Sequence, residues 1–369
     1  MGLHLIPDTL NFDFVGIRKY AYAVSALLIL VGVCAFVYTG GPRYGIDFSG
    51  GAVVQIKFAH PVSDEDLKKA LDGSDLPGLV VQSYGTDGTD FVLRIAAMRE
   101  SADGLGKIVN DTLNAGFAGN SYEIMRMDMV GPKVGADLRA QALEAMYYAI
   151  LLISIYVSGR FERRWFTAGF IALILGAATF GLSRFGLDRI FLIPLAVVLT
   201  LVLCRHFKLV FAMGAVVSIL HDVLITAGLY ALFGREFDLT TIAALLTVVG
   251  YSLNDTIIVY DRIRENLRND IVTPLGTVIN RSINRTMSRT VLTSGTTLIA
   301  VSALLLFGGG AIFDFALTVF IGVFMGTASS IFVASPILLA MSADIRREDF
   351  RPGQDRRARD ADGRLAAQV

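Results

Sequence analysis

Charged residues are scarce in this sequence, and their scarcity excludes a water-soluble enzyme. Only 18% of the 369 residues are charged, whereas a soluble domain typically has about 25%. Hydrophobic residues make up 54%, and the mean hydropathy is +0.58. Several apolar runs approach or exceed the ~18 residues that a transmembrane helix needs. We therefore expect a membrane protein and exclude a disordered or fibrous chain.

Cysteine is also rare, because Cys34 and Cys204 are the only two in the chain. Two cysteines are too few for a disulfide framework or a structural zinc site. The net charge is zero, with 33 basic against 33 acidic residues, so nothing suggests a nucleic-acid partner. Walker A, zinc and nucleotide-binding motifs are missing as well. The sequence therefore predicts no metal site, no cofactor and no catalytic residue.

The first third of the chain predicts one membrane helix followed by a domain in water. The apolar run 20–38 follows Arg18 and Lys19, but it is too long for a signal peptide and no cleavage site follows it. Residues 39–137 alternate between apolar and polar positions as strands do. Ser63 is expected to be the N-cap of a helix, with Asp66 at the third helical position as in a capping box. The order is βαββαβ, which is typical of a ferredoxin-like domain. The strands are expected at 52–58, 79–84, 91–95 and 122–130, and the helices at 63–71 and 102–115.

The remainder predicts a membrane helix bundle over 138–343 and a cytoplasmic tail over 344–369. With the first helix, the bundle brings the count to about eight. The last helix exceeds the thickness of a bilayer, so we expect it to be tilted or broken near Pro336. The bundle helices are predicted at about 138–158, 166–183, 189–204, 208–232, 239–260, 290–307 and 313–341. Their connections are short except for 261–289.

Basic residues are distributed unequally between the two sides of this arrangement. Cytoplasmic loops of membrane proteins are enriched in lysine and arginine. We therefore expect the side with more basic residues, which includes residues 1–19 and the C-terminal tail, to lie in the cytoplasm. The domain over 39–137 is then expected outside, in the periplasm. The richer side holds Arg18, Lys19, Arg160, Arg163, Arg164, Arg205, Lys208, Arg262, Arg264, Arg268, Arg281 and Arg285.

Several ionisable or strongly polar residues lie inside the predicted membrane helices. A charged side chain at a helix centre costs about 2.5–3.5 kcal/mol on insertion scales, so each requires an explanation. Asp255 and Arg289 lie at similar depth on neighbouring helices, and Asn254 precedes the carboxylate. His221 and Asp222 lie near the middle of another helix.

Two interpretations of Asp255 and Arg289 remain open on chemistry alone. Burial and a neighbouring arginine act in opposite directions on carboxylate ionisation, so such a group can bind and release a proton near neutral pH. Alternatively, the two residues form a permanent ion pair that only fastens two helices. For His221 and Asp222 we favour a structural hydrogen-bonding role between helices over a polar relay. The small residues Gly322 and Gly326 predict close helix packing.

Six motifs, taken in order, carry a resemblance to a known family. They are GIDFSGG at 45–51, YVSGRFE at 156–162, LHDV at 220–223, VGYSLNDTIIVYDRIREN at 249–266, RTVLTSGTT at 289–297 and GTASSIFVASP at 326–336. Together they resemble the SecD/SecF family of protein-export membrane proteins, which is related to the RND transporter superfamily. GIDFSGG, with Gly45, Asp47, Gly50 and Gly51, is shared by SecD and SecF. The small external domain favours the SecF branch.

The resemblance implies a subunit that works with SecD, the SecYEG channel and the SecA ATPase in the bacterial inner membrane. It implies use of the proton-motive force to assist translocation of unfolded preproteins. The family's important intramembrane carboxylate corresponds to Asp255 and its important arginine to Arg289, and a further carboxylate is expected on SecD. The family core has six helices, so the segment at about 166–204 is an extra hairpin. Membrane lipid is the remaining expected partner.

Alternative functions are weighed against this interpretation. An RND-type exporter of lipids or small molecules would require a substrate cavity. A passive scaffold for translocon assembly would use the buried charges only for structure. An intramembrane aspartyl protease is disfavoured, because Asp255 lies in SLND and no GxGD motif is present.

Overall fold

The computed structural model describes residues 11–74, 76–84, 87–96, 102–117, 119–184, 189–270 and 272–345. Part of the predicted turn at 85–90, the first ten residues and the tail from 346 lie outside the described residues. The described chain forms a four-stranded sheet domain between the first and second helices of a larger helix bundle. The predicted fold class is confirmed.

The sheet domain has the predicted βαββαβ order. Its strands are β1 (Gly51–Phe58), β2 (Val80–Tyr84), β3 (Asp90–Ile95) and β4 (Tyr122–Val130), arranged β2-β3-β1-β4 with every neighbouring pair antiparallel. Two helices, α3 (Asp64–Leu71) and α4 (Ala102–Gly116), cover one face. A short helix, α2 (Ile46–Ser49), precedes β1.

Alternation along the strands builds the core of this domain. Val54, Ile56 and Phe58 of β1 are buried, and they form one apolar cluster with Leu67 of α3 and Leu105 of α4. Ser63 caps α3 as predicted, because its hydroxyl accepts a hydrogen bond from the Asp66 backbone N–H at 3.1 Å. The Asp66 carboxylate accepts from that hydroxyl, rather than from the backbone as in a standard capping box.

Apolar helices build the rest of the described chain. Seven of them are long and apolar enough to cross a membrane, and an eighth, Phe191–His206, is apolar but shorter. They are α1 (Arg18–Tyr38), α5 (Pro132–Val157), α6 (Trp165–Arg184), α7 (Arg189–His206), α8 (Val210–Leu232), α9 (Leu239–Asn269), α10 (Leu275–Phe307) and α11 (Ala311–Ser329).

Two π-helical segments interrupt the bundle. One, Ser158–Glu162, follows α5, and the other, Ser330–Ala334, separates α11 from a short helix, α12 (Ser335–Ala340). The predicted break near Pro336 therefore takes the form of a π turn ahead of it. Local π turns inside helices occur frequently at functional sites.

The extra hairpin, α6 and α7, lies at the edge of the bundle. These two helices pack on each other and on α5 and α8, whereas α9 packs directly on α10 and α11. The hairpin therefore does not separate the helix of Asp255 from that of Arg289. Phe166 and Phe191 are 95% and 77% exposed on its outer surface, as expected for a surface that faces lipid.

Two helices extend beyond their predicted ends into the predicted long connection at 261–289. Helix α9 continues to Asn269 and α10 begins at Leu275. Hydropathy identifies only the apolar part of a helix, whereas these extensions are amphipathic. Ile263 and Leu267 of α9 pack against Val278 and Ile279 of α10, while Arg268 is exposed.

Close contact between two glycines joins α1 to α8, and filling it should destabilise the protein. A Cβ atom at Gly228 would lie 2.6 Å from the Gly32 Cα atom. We expect Gly228→Leu to lower the thermal unfolding midpoint through an overpacking penalty of about 1–3 kcal/mol. Gly176→Leu in α6 is the matched control, because nothing lies within 4 Å of a Cβ atom there. Equal unfolding midpoints for the two detergent-purified variants would contradict the prediction.

Candidate functional site

Two carboxylates are buried in the centre of the bundle, and their surroundings differ. Asp222 lies on α8 and is 1% exposed, and Asp255 lies on α9 and is 0% exposed. Both contact α11, which approaches α9 closely because Gly322 and Gly326 leave room for Val248 and Ser252. The small-residue motif therefore packs within the chain, and polar residues of two neighbouring helices lie next to each carboxylate.

Asp222 has a hydrogen-bond partner for each of its oxygens. Its Oδ2 accepts from the Ser252 hydroxyl at 2.5 Å and from the Ser329 hydroxyl at 2.7 Å. Its Oδ1 lies 2.9 Å from His221 Nδ1, and His221 Nε2 lies 2.8 Å from the Ser25 hydroxyl of α1. This network ties together α1, α8, α9 and α11, which is the arrangement expected of a structural contact between helices.

Only one of the two carboxylate oxygens of Asp255 has hydrogen-bond partners among the described residues. Its Oδ2 accepts from the hydroxyls of Ser294 on α10 and Thr327 on α11, at 3.3 and 3.4 Å. Each hydroxyl has one hydrogen, so these contacts compete with the 2.7 Å contact between the two hydroxyls and with the bond from Thr327 to the Val323 carbonyl. The Oδ1 atom is buried without a hydrogen-bond partner among the described residues. An ionised carboxylate in such surroundings is unfavourable, since a buried charge requires pairing and full hydrogen bonding.

No direct ion pair joins Arg289 to Asp255 within the described part of the chain. The arginine is exposed on α10, and Asn254 is exposed on α9. Neither belongs to the hydrogen-bonded networks of the two carboxylates. The structure thus brings Asp255 together with hydroxyls rather than with Arg289.

The hydroxyl-rich stretch after Arg289 has two separate roles. Thr293, Thr296 and Thr297 donate to backbone carbonyls of their own helix, which is a common packing arrangement. Ser294 instead contacts Asp255. Only the helix packing distinguishes the serine that contacts the carboxylate from these threonines.

Glu162 is a polar residue that sequence reasoning left without a role. Its Oε1 accepts from the Phe211 backbone N–H at 2.7 Å, so it caps α8 from a distant part of the chain. Its Oε2 is buried without a hydrogen-bond partner in the described chain. The neighbouring Phe161 stacks on Phe211, and both rings pack edge-on against Tyr260 of α9. In the sequence, the signal for a role of Glu162 was its place in the YVSGRFE motif.

The GIDFSGG motif lies where the sheet domain meets the bundle. Gly50 and Gly51 have φ of +73° and +125°, a region that favours glycine. A Cβ atom on Gly50 would lie 2.8 Å from the Pro132 Cα atom of α5. Gly45 is buried and its N–H donates to the Phe237 carbonyl. Asp47 accepts from the Leu239 backbone N–H, the first residue of α9, at 3.1 Å.

Charged residues surround the same junction. Arg94 of β3 pairs with Glu236 in the loop before α9, and Arg235 pairs with Asp314 of α11 at 3.4 Å. Burial is the main cause that lowers the pKa of Arg94, and the charges of Asp314 and Asp238 oppose it. The first pair joins the sheet domain to the loop before α9, and the second joins that loop to α11.

The geometry combines a water-facing α+β domain with a helix bundle that holds an unpaired buried carboxylate. That combination defines a multi-pass membrane protein of the transport class.

Comparison with known proteins identifies the family. The family described as "Protein export membrane protein SecD/SecF, C-terminal" matches residues 109–193 and 189–344, and the SecD/SecF GG motif matches residues 35–62. The two segments of the first match overlap over residues 189–193, at the start of α7 and inside the extra hairpin.

Curated relatives agree over nearly the whole chain. A protein translocase subunit SecF from Magnetococcus marinus is 40% identical over 343 residues, covering 92% of this chain and 94% of the relative. One from Pseudomonas aeruginosa is 34% identical over 344 residues, covering 93% and 95%. This chain belongs to the SecF family of protein translocase subunits, and its role lies in protein export.

Solved structures give the same result for the fold. The crystal structure of SecDF, a translocon-associated membrane protein from Thermus, superposes with a TM-score of 0.66 at 32% identity. It is matched over 93% of this chain and 40% of that chain. The crystal structure of SecDF in a super-membrane-facing form superposes with a TM-score of 0.55 at 30% identity. The match covers 98% of this chain and 41% of that chain. This chain therefore spans about two fifths of the solved SecDF chains.

Proposed function

We propose that this chain works with SecD to use the proton-motive force for Sec-dependent preprotein translocation across the bacterial cytoplasmic membrane. SecYEG and SecA are the further partners, an unfolded preprotein is the substrate, and the coupling ion is the proton. Asp255 is the residue of this chain that binds it. The observation that carries the proposal is the state of Asp255, which is fully buried, unpaired and bonded only to two hydroxyls.

Hydroxyl partners suit a carboxyl group that changes its protonation state. A serine or threonine hydroxyl both donates and accepts hydrogen bonds, and its hydrogen rotates freely. Ser294 and Thr327 can therefore donate to an ionised Asp255 or accept from its protonated form. A permanent ion pair with Arg289 would favour the scaffold function, and the described residues form no such pair.

The exposed position of Arg289 is evidence for a second subunit next to this site. An arginine exposed at membrane depth on α10 is unfavourable unless a partner covers it. Asn254 lies exposed on the neighbouring helix. A carboxylate on SecD would pair with Arg289 and shield it from lipid. The additional length of the solved SecDF chains agrees with a partner polypeptide that this chain does not contain.

Translocation in inverted vesicles tests the proposed function. The vesicles come from cells that lack their own SecD and SecF and are supplied with SecD, with or without this chain. We expect a proton gradient to stimulate preprotein translocation only when this chain is present, and an uncoupler to remove the stimulation. A chain that raises the translocation rate equally with and without the gradient would favour the passive scaffold. The relatives named as translocase subunits make an exporter of small molecules the weaker alternative.

The orientation of the chain gives a separate prediction. The distribution of basic residues places the sheet domain in the periplasm and the α9–α10 connection in the cytoplasm. Cysteines at Asp87 and at the exposed Val272 report the two sides, in a chain whose exposed Cys34 is replaced by serine. In spheroplasts we expect an impermeant maleimide to label position 87, and position 272 only after permeabilisation. Labelling of both positions in sealed spheroplasts would contradict this topology.

A further inference from the structure

The GIDFSGG motif forms a joint between the sheet domain and two bundle helices. Helix α2 of the motif packs on the first turn of α5, where a Cβ atom on Gly135 would lie 3.1 Å from the Phe48 carbonyl. Phe48 is 3% exposed and belongs to one apolar cluster with Tyr230 and Phe237. The motif also leads directly into β1, the central strand that pairs with β3 and β4.

Hydrogen bonds connect this joint to the beginning of α9. The Gly45 N–H donates to the Phe237 carbonyl at 2.8 Å, and the Phe237 N–H donates to the Arg43 carbonyl at 2.7 Å. The Asp47 carboxylate accepts from the Leu239 N–H. The Arg94–Glu236 pair adds a contact from β3 to the same loop.

Two carboxylates hold the N-terminus of α9, and they belong to different parts of the molecule. Asp238 is the local N-cap and accepts from the Thr241 N–H at 2.7 Å. Asp47 belongs to the segment that continues into the sheet domain. Negative groups at a helix N-terminus are stabilising, but only the Asp47 contact ties the domain to the helix.

Helix α9 connects this contact to the buried carboxylate. It runs without interruption from Leu239 to Asn269, and Asp255 lies sixteen residues after Leu239, about 24 Å along the axis at 1.5 Å per residue. Because α9 is continuous, its N-terminus and Asp255 belong to one helix, which packs on α8, α10 and α11. A displacement of its N-terminus therefore changes the position of Asp255 relative to Ser294 and Thr327.

We propose that Asp47 is a positioning residue that couples the sheet domain to α9 and, through this continuous helix, sets the position of Asp255 relative to Ser294 and Thr327. The inference rests on the proposed function, and it adds a residue outside the bundle core on which the geometry of the proton site depends.

Substitutions at Asp47 test the coupling in the vesicle assay, at matched amounts of complex with SecD. Asp47→Ala removes the acceptor, and we expect most of the gradient-dependent stimulation to be lost while the gradient-independent rate is retained. Asp47→Asn keeps an oxygen that accepts from Leu239, and we expect it to restore the stimulation. Asp238→Ala is the matched control, because it removes a cap from the same helix without breaking the contact with the domain.

The outcomes separate this proposal from the proposed function. Equal losses for Asp47→Ala and Asp238→Ala would show that Asp47 serves only as a cap and would overturn the coupling role. Full stimulation in Asp47→Ala, with stimulation lost in Asp255→Asn, would overturn the coupling role and leave the proton role intact. Full stimulation in Asp255→Asn would reject the proton role itself.

A redox-controlled bond across the joint provides a second measurement. A Cβ atom on Gly45 would lie 3.3 Å from the Asp238 Cβ atom, close to the separation of about 3.5–4.5 Å found in disulfides. Gly45 has φ −67°, so cysteine is tolerated there. We expect oxidation of Gly45→Cys/Asp238→Cys in the Asp47→Ala background, with Cys34 replaced by serine, to restore the gradient response. A response that stays absent although the disulfide has formed would overturn the proposal.

Discussion

Replacing Asp255 by asparagine should abolish the gradient-dependent part of translocation while leaving the complex assembled. Asparagine has the size of aspartate and its Oδ1 accepts the hydrogen bonds that Ser294 and Thr327 donate. It cannot titrate. Because no ion pair is broken by the substitution, we expect little loss of stability, in contrast to the several kcal/mol lost when a buried pair loses one partner.

The measurement compares translocation rates in inverted vesicles with and without a proton gradient, at matched amounts of chain and SecD. Asp270→Asn is the control, since Asp270 lies at the exposed end of the same helix, where the Thr273 hydroxyl and N–H lower its pKa. We expect this control to keep the full gradient response. If Asp255→Asn also keeps it, the proton role assigned to Asp255 is wrong.

Replacing Asp222 by alanine should cause a large loss of stability in the bundle. Asp222 accepts from Ser252 and Ser329 and lies against His221. Its removal leaves the Ser252 hydroxyl and His221 Nδ1 without that partner and opens a cavity, whereas Ser329 keeps its contacts with Ser218 and the Gly326 carbonyl. Each unsatisfied group costs about 1–3 kcal/mol.

The thermal unfolding midpoint of the purified protein and the yield of folded chain measure this effect. Asp222→Asn retains an acceptor oxygen and is the matched control, with a smaller expected loss. Ser218 contacts Ser329 at the edge of the network, so Ser218→Ala should cost less than either. A stable, well-assembled Asp222→Ala variant that has lost only its gradient response would favour a polar relay and contradict the structural role of this residue.

Local sequence patterns were sufficient for the sheet domain. The alternation in β1, β3 and β4, the turn residues between elements and the Ser63 cap predicted every strand to within one residue at its start. These signals are local because alternation follows from the geometry of the strand itself. The antiparallel order β2-β3-β1-β4 followed because βαββαβ patterns adopt few topologies.

Hydropathy predicted the membrane helices and placed their apolar parts well. It did not predict where α9 ends or where α10 begins, because the extensions are stabilised by contacts between the two helices. It also did not predict the two π turns.

The composition of the candidate site was visible in the sequence, since buried charges in apolar helices are conspicuous. Asp222, Asp255, His221 and Arg289 were identified because a charge at membrane depth needs a reason. Their roles remain predictions, and the sequence did not reveal the hydrogen-bond partners that distinguish them. Ser252 and Ser329 contact Asp222, whereas Ser294 and Thr327 contact Asp255. These serines and threonines come from three different helices, so no spacing along the chain relates them.

The sequence by itself therefore determined the membrane class, the helix count, the ferredoxin-like domain and the family motifs. Only the tertiary structure decided that Asp222 is bonded on both oxygens and Asp255 on one, and that Arg289 lies outside both networks. It also decided that Asp47 contacts the first residue of α9, 192 positions further along the chain. The physical reason is that periodicity and hydropathy arise within one element, whereas hydrogen-bond partners in a bundle are selected by the packing of separate helices.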